Sequence, residues 1–522
     1  MQQGIQVLDT PPGRVRTPLM TGWLVLALVV LTAGVATAGF ATVTRSGQSA
    51  ASTTVRAREP QRAATVVTGS PAIASASAAR ALLAAAPSVV LVGAGNQADV
   101  AAAAAIARRA HAPLLLLPAS GTAGQVAALR STIRALAPSA VLALGVARRS
   151  LAADLPGVHL VAAASALPVT AAAAPMRSVA VLVHTGGSAA ASALAIAATA
   201  TAQAAGARVI DLPGYDPRAD QSAIRALAAA RPQHVVGVGA GFGSAGLLAA
   251  RTAVAETGKQ LPGGGQVLFP ARRIVALYGT PGTPVLGVLG HQGLTRSIAR
   301  AKAAAAQYAA LSKVPVIASF EIIASVAQAS AGPSGTYSDE SSVRALRPWV
   351  TAASKAGLYV TLDLQPGRAS LLDQAKSYRS LLKLPNVGLA LDPEWQLKPR
   401  QLPLRQIGTV SVSEVNKVAS WLASLTAKYR LPQKLLELHE FRLTMIQNLQ
   451  RLDTRHDDLA IVINMDGQGA PGTKQQTWRA VVANAPRGVY FGWKDFYVKD
   501  TPMLNPAQTM LHRPVPVLIS YQ

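Results

Sequence analysis

Eight short apolar runs in the second half of the chain constrain the fold more than any other feature. Six of the seven gaps between them are long enough to hold a helix. A segment of about 250 residues with this alternation has the usual size of an eight-stranded parallel (β/α)8 barrel, or TIM barrel. The predicted strands are Arg273–Tyr278, Pro315–Glu321, Leu358–Asp363, Val387–Asp392, Lys434–His439, Leu459–Asp466, Gly488–Trp493 and Val515–Tyr521.

Acidic residues lie at or just after the ends of these runs. In a parallel barrel the active site is built at the carboxyl ends of the strands, so these side chains are expected to meet at one mouth. This clustering is the main functional indication in the sequence. The acids are Glu321, Asp363, Asp392, Glu394, Glu440, Asp466 and Asp495.

The motif LALDPEW, which ends at Trp395, places two of these acids where the fourth strand leaves the barrel. Asp392 and Glu394 are two residues apart and would share one face of a strand. Glycoside hydrolysis requires a protonated acid and a second carboxylate across the scissile bond, and this second group is expected on another strand. We therefore predict Glu394 as the acid/base and Asp466 as the nucleophile or base, with Glu440 as the other candidate partner.

Other polar and aromatic residues at the strand ends are candidate substrate contacts. Trp395 and Trp493 have flat rings that can stack on sugars, although tryptophan packed between barrel and helices is equally common. His439 is a candidate proton carrier or hydrogen-bonding ligand, although a buried core histidine is the more frequent case. The remaining acids would shape the sugar site or hold a metal, or else cap loops and pair with nearby bases; they are Glu321, Asp363, Asp392 and Asp495.

Several familiar motifs are incomplete, so no cofactor and no specific metal set is predicted. The turn Gly93–Ala98 resembles a dinucleotide fingerprint but lacks the acid expected about 20 residues later, which argues against NAD. The pair His439-Glu440 is not followed by a second histidine at position 443, which excludes a zincin protease. The segment Gly467–Lys474 departs from the P-loop pattern, and the absence of cysteine excludes thiol chemistry and disulfides.

The first half alternates short β-like runs with alanine-rich helical stretches, which predicts a doubly wound parallel α/β domain. The predicted strands are Ser88–Val92, Pro113–Leu117, Ala140–Leu144, Ser178–Val183, Ala207–Asp211 and His234–Val238. The predicted helices are Gln97–Arg109, Gly124–Leu136, Ala189–Gly206 and Gln221–Ala230.

The amino terminus contains 28 uncharged residues between Arg16 and Arg45, long enough to span a bilayer. With basic residues before it, this run predicts a signal anchor with the rest of the chain outside the membrane; a secreted protein released by signal cleavage is the alternative. The predicted organisation is a cytoplasmic terminus, transmembrane helix, linker, α/β domain and barrel over residues 1–16, 17–43, 44–63, 64–270 and 271–522.

The formal net charge of +25 reflects few acids (24) against 49 bases, spread over both halves without a basic block. Such a distribution argues against nucleic acid as a partner and leaves salt-sensitive attraction to anionic lipid or wall polymer. The expected partners are therefore envelope glycan or wall polymer and, through the amino-terminal helix, the membrane. The sequence does not predict an oligomeric state.

The stretch LVGAGNQADVAAAAAIARRAHAPLLLLPASGTAGQVAALRSTIRALAPSAVLALG resembles the type 2 cell-wall-binding repeat family of Gram-positive surface proteins. The match covers residues 64–150 well and 178–270 poorly. It implies an extracytoplasmic domain that adheres non-covalently to anionic wall polymer.

Residues 271–522 resemble an uncharacterised barrel domain that follows such regions in actinobacterial envelope proteins. The motifs that carry this resemblance are LALDPEW, GTVSVSEVNKVASWL, LPQKLLELHEF, MDGQG and the terminal LISYQ. That domain usually has glutamine where this chain has Glu440. The resemblance implies a location rather than an activity.

Two functions remain open from the sequence. One is a glycoside-hydrolase-like barrel acting on envelope glycan, and the other is a non-catalytic wall-binding or scaffolding protein with a degenerate barrel. A solute binder formed by the α/β half is a third, weaker option.

Overall fold

The computed structural model describes residues 54–118, 122–145, 151–153 and 155–522. The predicted cytoplasmic terminus, transmembrane helix and first part of the linker lie outside the described residues. Within the described part of the chain, no helix combines the length and apolar character that crossing a bilayer requires.

The first half is an α/β region built on two parallel four-stranded sheets and one small antiparallel pair. Its strands are β1 Arg56–Ala57, β2 Ala64–Val67, β3 Leu83–Ala85, β4 Ser88–Gly93, β5 Leu114–Leu117, β6 Ala140–Leu144, β7 Leu160–Val161, β8 Met176–His184, β9 Ala207–Leu212 and β10 His234–Val238. One sheet has the order β5-β4-β6-β7 and the other the order β2-β10-β8-β9. The predicted strands are present, but they are divided between two sheets.

Helices cover these sheets, and local signals explain where several of them begin. They are α1 Pro71–Leu82, α2 Gln97–Arg109, α3 Ala123–Leu136, α4 Ala189–Ala204, α5 Gln221–Ala230 and α6 Ala245–Ala255. Ser70 caps α1 with proline at the first helical turn, and Thr122 and Gln125 form a capping box at α3. Alanines along α1, α2 and α4 are buried in a core that includes strands of both large sheets. Helices α1 and α6 were not predicted.

The second half is a closed barrel of eight parallel strands, which confirms the principal prediction from the sequence. The sheet closes because β11 pairs with β12 on one side and with the last strand on the other. The barrel strands are β11 Arg273–Gly279, β12 Val316–Ala327, β14 Tyr359–Leu364, β15 Val387–Leu391, β17 Lys434–His439, β19 Leu459–Met465, β20 Tyr490–Asp495 and β21 Leu518–Tyr521.

Short strands and outer helices complete this half. The additional strands are β13 Ser338–Glu340, which extends the sheet antiparallel to β12, and the pair β16 Val410–Ser411 and β18 Ile446–Gln447. The helices are α7 Leu294–Ala309, α8 Val343–Lys355, α9 Leu371–Ser377, α10 Arg379–Leu382, α11 Val412–Lys428, α12 Pro471–Asn484 and α13 Pro506–Thr509. Glu414 is the capping-box partner of Ser411 at α11.

Side chains inside the barrel change from apolar to polar along the strands. The amino end of the interior is filled by an apolar cluster, whereas the carboxyl end carries carboxylates, His439 and Lys494. The members of the apolar cluster that lie on barrel strands are Ile274, Ala276, Ile317, Tyr359, Leu435, Ala460, Val462 and Leu518. A filled base and a polar mouth restrict any site inside the barrel to its carboxyl end.

An ion network around the buried Arg218 joins the α/β region to the amino end of the barrel. Arg218, 2% exposed, bridges Asp216 at 2.8 Å and Asp457 at 2.7 Å. Arg251 also pairs with Asp457, at 2.6 Å. Because Asp457 lies just before β19, this junction is at the end of the barrel opposite to the polar mouth.

Candidate active site

The carboxyl end of the barrel opens into a cleft of about 710 Å³. Its polar lining comes from residues at the ends of different strands, so it depends on barrel closure and not on one local motif. The principal polar and aromatic lining residues are Tyr278, Gln365, Asp392, Glu394, Trp395, Asp466 and Lys494.

A tight turn presents Asp392 and Glu394 to this cleft. Strand β15 ends at Leu391, and Pro393–Trp395 form a single 3₁₀ turn, so strand alternation is not the reason why these two acids come together. The Glu394 carbonyl accepts a hydrogen bond from the Gly408 amide at 2.6 Å. A Cβ at Gly408 would lie 2.3 Å from the Gln396 carbonyl oxygen, so the returning loop requires glycine here.

Asp466, on the loop directly after β19, faces this turn from the sixth strand of the barrel. One carboxylate oxygen from each of Asp392, Glu394 and Asp466 lies within 4.8 Å of the other two. The structure thus brings together the two acids predicted as a catalytic pair, with Asp392 beside them.

The pKa values of these three carboxyls are shifted in different directions. Burial, together with the charge of Asp466, raises the pKa of Glu394 to about 7. Burial and the charge of Glu394 raise the pKa of Asp392 well above its ordinary value. Burial also acts upward on Asp466, but the charge and hydrogen bond of His439 outweigh it and lower the Asp466 pKa. Near neutral pH, Glu394 is therefore poised to carry a proton while Asp466 remains ionised.

His439 is fully buried at the end of β17 and connects the cleft to the barrel interior. Its Nδ1 lies 2.9 Å from Asp466 Oδ2, and its Nε2 lies 2.9 Å from Glu321 Oε1. Burial alone would lower the pKa of His439, but the negative charges of Asp466 and Glu321 raise it well above its ordinary value. His439, which was predicted as a proton carrier or hydrogen-bonding ligand, therefore lies beneath the cleft.

Asp363 lies beside His439 and is held by a tyrosine from the first strand. Tyr278 donates a hydrogen bond to Asp363 Oδ2 at 2.9 Å, and Gln365 donates to the Tyr278 hydroxyl at 3.2 Å. Burial, opposed by the charge of His439, raises the Asp363 pKa to about 6. The Lys494 ammonium lies 3.4 Å from the centroid of the Tyr278 ring, in cation–π geometry.

The polar residues of the mouth that were not predicted from the sequence include Tyr278, Gln365, Glu437 and Lys494. Glu437 is two residues before His439 on β17 and faces the same interior, where Asn464 donates to its Oε1 at 2.6 Å. Period-two spacing from His439 was the signal that could have identified it. Tyr278 and Lys494 occupy inward positions near the ends of the first and seventh barrel strands, and their residue types gave no comparable signal.

Of the predicted substrate contacts, Trp395 lines the cleft. Its indole Nε1 is buried and has no hydrogen-bond partner among the described residues. Glu321 and Asp363 lie below the cleft and are completely buried. Strand β12 continues to Ala327, so Glu321 is in the middle of a strand and not at its end.

Trp493 and Asp495 lie on the outer side of β20, in contrast to the prediction that they contact substrate. The Trp493 ring packs 3.9 Å from that of His512, and its Nε1 donates to Asp495 Oδ1 at 2.7 Å. Neither residue lines the cleft, because the intervening Lys494 takes the inward position.

Glu440, the other predicted catalytic partner, is fully buried and also does not line the cleft. Burial, with a contribution from the charge of Asp466, raises its pKa to about 8. The structure therefore places Asp466, rather than Glu440, opposite Glu394.

No protein-family model, curated protein or solved structure matches this chain. The resemblance to wall-binding repeats and to actinobacterial envelope barrels therefore stays a prediction from the sequence.

Proposed function

We propose that the protein is an extracytoplasmic glycan hydrolase in which Glu394 is the acid/base and Asp466 is the nucleophile. The observation that carries this proposal is the pairing of Glu394 and Asp466 in one cleft with oppositely shifted pKa values. Two carboxyls that differ in this way are the arrangement that allows one to donate a proton while the other acts as an anion.

The separation of the two groups favours a double-displacement reaction. Their nearest oxygens lie within 4.8 Å. Retaining glycosidases have carboxyls about 5 Å apart, whereas inverting enzymes need about 6.5–9.5 Å to accommodate a water. The proposal therefore commits to retention of anomeric configuration.

In the first step, the Glu394 carboxylic acid protonates the glycosidic oxygen while Asp466 attacks the anomeric carbon. The bond to the leaving sugar breaks, and a glycosyl ester of Asp466 forms. Glu394, now a carboxylate, then removes a proton from water, which displaces Asp466 and regenerates both groups. Asp466 Oδ1 suits the attack, because only Oδ2 is hydrogen-bonded to His439.

Trp395 supplies the sugar contact in this proposal. Its ring lines the cleft next to Glu394, and such a flat aromatic surface can stack on the face of a sugar. The membrane anchor over residues 17–43 and a wall-binding role for the α/β region are further parts of the proposal that come from the sequence.

The test is release of reducing sugar from purified Gram-positive wall polysaccharide by the full-length protein. We expect activity in wild type and a loss of about 10²–10⁴-fold in Glu394→Gln. Glu340→Gln, which changes an exposed acid on β13, is the matched control and should retain activity.

If wild type and Glu394→Gln bind the polysaccharide equally and neither releases sugar, the hydrolase assignment fails. That outcome would support the non-catalytic wall-binding protein instead.

A further inference from the structure

We infer that the barrel contains a site for a divalent transition-metal ion, beneath the cleft and separate from Glu394. Its ligands would be His439 Nε2 and the carboxylates of Glu321 and Glu437, with Asp363 beside them. All four side chains are completely buried, and they come from strands β12, β14 and β17.

The distances between these groups are those of atoms that share one ion. His439 Nε2 lies 2.9 Å from Glu321 Oε1, 3.7 Å from Glu437 Oε1 and 3.8 Å from Asp363 Oδ1. Two ligands each about 2.1 Å from a metal are about 3.0 Å apart at an angle of 90° and about 3.8 Å apart at 130°. Convergence of one imidazole and several carboxylates at this spacing suits a cation of that size.

The atoms that face the common centre lack hydrogen bonds. His439 Nε2 and both Glu321 oxygens are buried without a hydrogen-bond partner among the described residues. Nε2 and Glu321 Oε1 approach to 2.9 Å, the distance of an ion pair when the imidazole is protonated. Asp363 Oδ1 also lacks a partner. Glu437 Oε1, at 3.7 Å from Nε2, accepts a hydrogen bond from Asn464, and Glu437 Oε2 has no partner. Buried polar atoms are rarely left in this state without a ligand to satisfy them.

The other atoms of the same groups are held by neighbouring polar residues. Asp466 binds His439 Nδ1, Tyr278 donates to Asp363 Oδ2, and Asn464 donates to Glu437 Oε1. Metal-binding histidines and carboxylates are usually oriented in this way by an outer set of hydrogen bonds. The carboxylate–histidine link through Asp466 leaves Nε2 directed at the centre.

Charge also favours a cation here. Glu321, Asp363, Glu437 and Asp466 surround His439, and Lys494 is the buried ammonium whose charge acts on this group. With His439 neutral and the carboxyls deprotonated, as metal binding requires, four carboxylates exceed one ammonium. A divalent ion would offset most of this excess.

The ligand types define the class of metal. One imidazole with two or three carboxylates and no thiolate suits Mn²⁺, Fe²⁺, Co²⁺ or Zn²⁺ better than Ca²⁺ or Mg²⁺, which prefer oxygen alone. The probes are therefore Mn²⁺ and Zn²⁺, with Ca²⁺ as the comparison.

The experiment is titration of chelator-treated full-length protein with Mn²⁺, followed by calorimetry and by the electron paramagnetic resonance of the bound ion; Zn²⁺ and Ca²⁺ are titrated by calorimetry. We expect one Mn²⁺ or Zn²⁺ per chain, bound more tightly than Ca²⁺. Glu321→Gln and Glu437→Gln should each weaken binding by more than the roughly 10–100-fold that loss of an outer partner costs. Asp466→Asn should weaken metal binding by an amount within that roughly 10–100-fold range.

Glu440→Gln is the matched control, because Glu440 is an equally buried acid on the same segment that does not face His439. It should bind metal as wild type does. Thermal unfolding with and without Mn²⁺ provides a second measurement, since an ion that binds only the folded state raises the midpoint. A midpoint that rises in wild type and Glu440→Gln but not in Glu321→Gln supports the site.

The inference is overturned if wild type binds no Mn²⁺ or Zn²⁺, or if Glu321→Gln and Glu437→Gln bind them as wild type does. Neither result depends on hydrolysis, so failure of the metal site and failure of the hydrolase proposal are distinguishable.

Discussion

His439 Nδ1 lies 2.9 Å from Asp466 Oδ2, and this contact joins the open cleft to the sealed interior of the barrel. The imidazole is completely buried, whereas Asp466 lines the cleft. The ionisation of the proposed nucleophile is therefore set by a group that substrate does not contact.

The first prediction concerns the pH dependence of hydrolysis. Glu394 must be protonated to act as the acid, and its pKa is raised to about 7 by burial and by Asp466. We expect kcat/KM to fall as pH rises through about 7, because the proton is lost in that range. The pH–rate profile of the full-length protein on wall polysaccharide measures this. An alkaline limb that persists at the same pH in the residual activity of Glu394→Gln would assign the limb to another group.

A second prediction concerns the turn that carries Glu394. Gly408→Ala places a Cβ against the Gln396 and Glu394 carbonyl oxygens, so the turn has to shift and activity should drop at least tenfold. Gly472→Ala is the control, because a Cβ there meets nothing within 4 Å and lies in helix α12. The control should keep wild-type kcat/KM and unfold at the same or a slightly higher urea concentration. Equal activity in the two variants would show that the turn is not constrained in this way.

A third prediction concerns Asp500, which holds two loops of the mouth from the outer side of the barrel. Its carboxylate accepts hydrogen bonds from the amides of Gly469 and Phe496, both at 2.9 Å, and pairs with buried Lys474. Asp500→Asn should destabilise the protein by about 3 kcal/mol, since it removes the nearer carboxylate from the buried Lys474 ammonium and leaves only Asp495, at 3.9 Å. Urea unfolding measures the loss, and hydrogen exchange should accelerate at Gly469 and Phe496.

Two further variants test the cause of this loss. Asp373→Asn, which disrupts an exposed pair with Lys376, should change stability far less. The double variant Lys474→Met/Asp500→Asn should recover part of the lost stability, because the buried ammonium that has lost Asp500 is then also absent. If the double variant is destabilised by the sum of the losses measured for Lys474→Met and Asp500→Asn alone, the ion pair is not the cause.

A fourth prediction concerns Lys434, a completely buried lysine that donates to the carbonyls of Leu384 and Val387. Burial lowers its pKa to about 7, whereas the unfolded chain keeps the ordinary value near 10.5. Between these values the unfolded state binds more protons, so stability from this group rises with pH from about 7 to 10 and is lost as pH falls towards 7. The slope should approach about 1.4 kcal/mol per pH unit.

Lys434→Met should remove this slope, and Lys313→Met, which changes an exposed lysine, should retain it. Urea unfolding of the three proteins at pH 7, 8 and 9 measures the difference. Parallel pH dependences in all three would contradict the assignment.

The barrel was predictable from the sequence because each strand is a compact apolar run separated from the next by helix-length segments. Glu394 and Asp466 follow such runs, so their meeting at one mouth follows from parallel geometry alone. It was harder to predict which face of each strand points into the barrel. Both faces of a barrel strand are buried, so the sequence Trp493-Lys494-Asp495 does not show which residue points inward.

The same limitation explains the interior polar residues. Glu437 is flanked by leucines on a fully buried strand, and only its parity with His439 places it inside the barrel. Asn464 and Tyr278 matter because of partners on other strands, 27 and 85 residues away in the chain. Pairings of this range depend on tertiary register, which local sequence patterns do not contain.

The junction through Arg218 and Asp457 has a consequence for how a long polymer would meet this protein. The α/β region is attached to the amino end of the barrel, while the cleft opens at the other end. A strand of wall polymer held by the α/β region would have to pass along the outside of the barrel before it reached Glu394. Binding and hydrolysis would therefore act on well-separated points of one wall polymer, or on two different polymers of the wall.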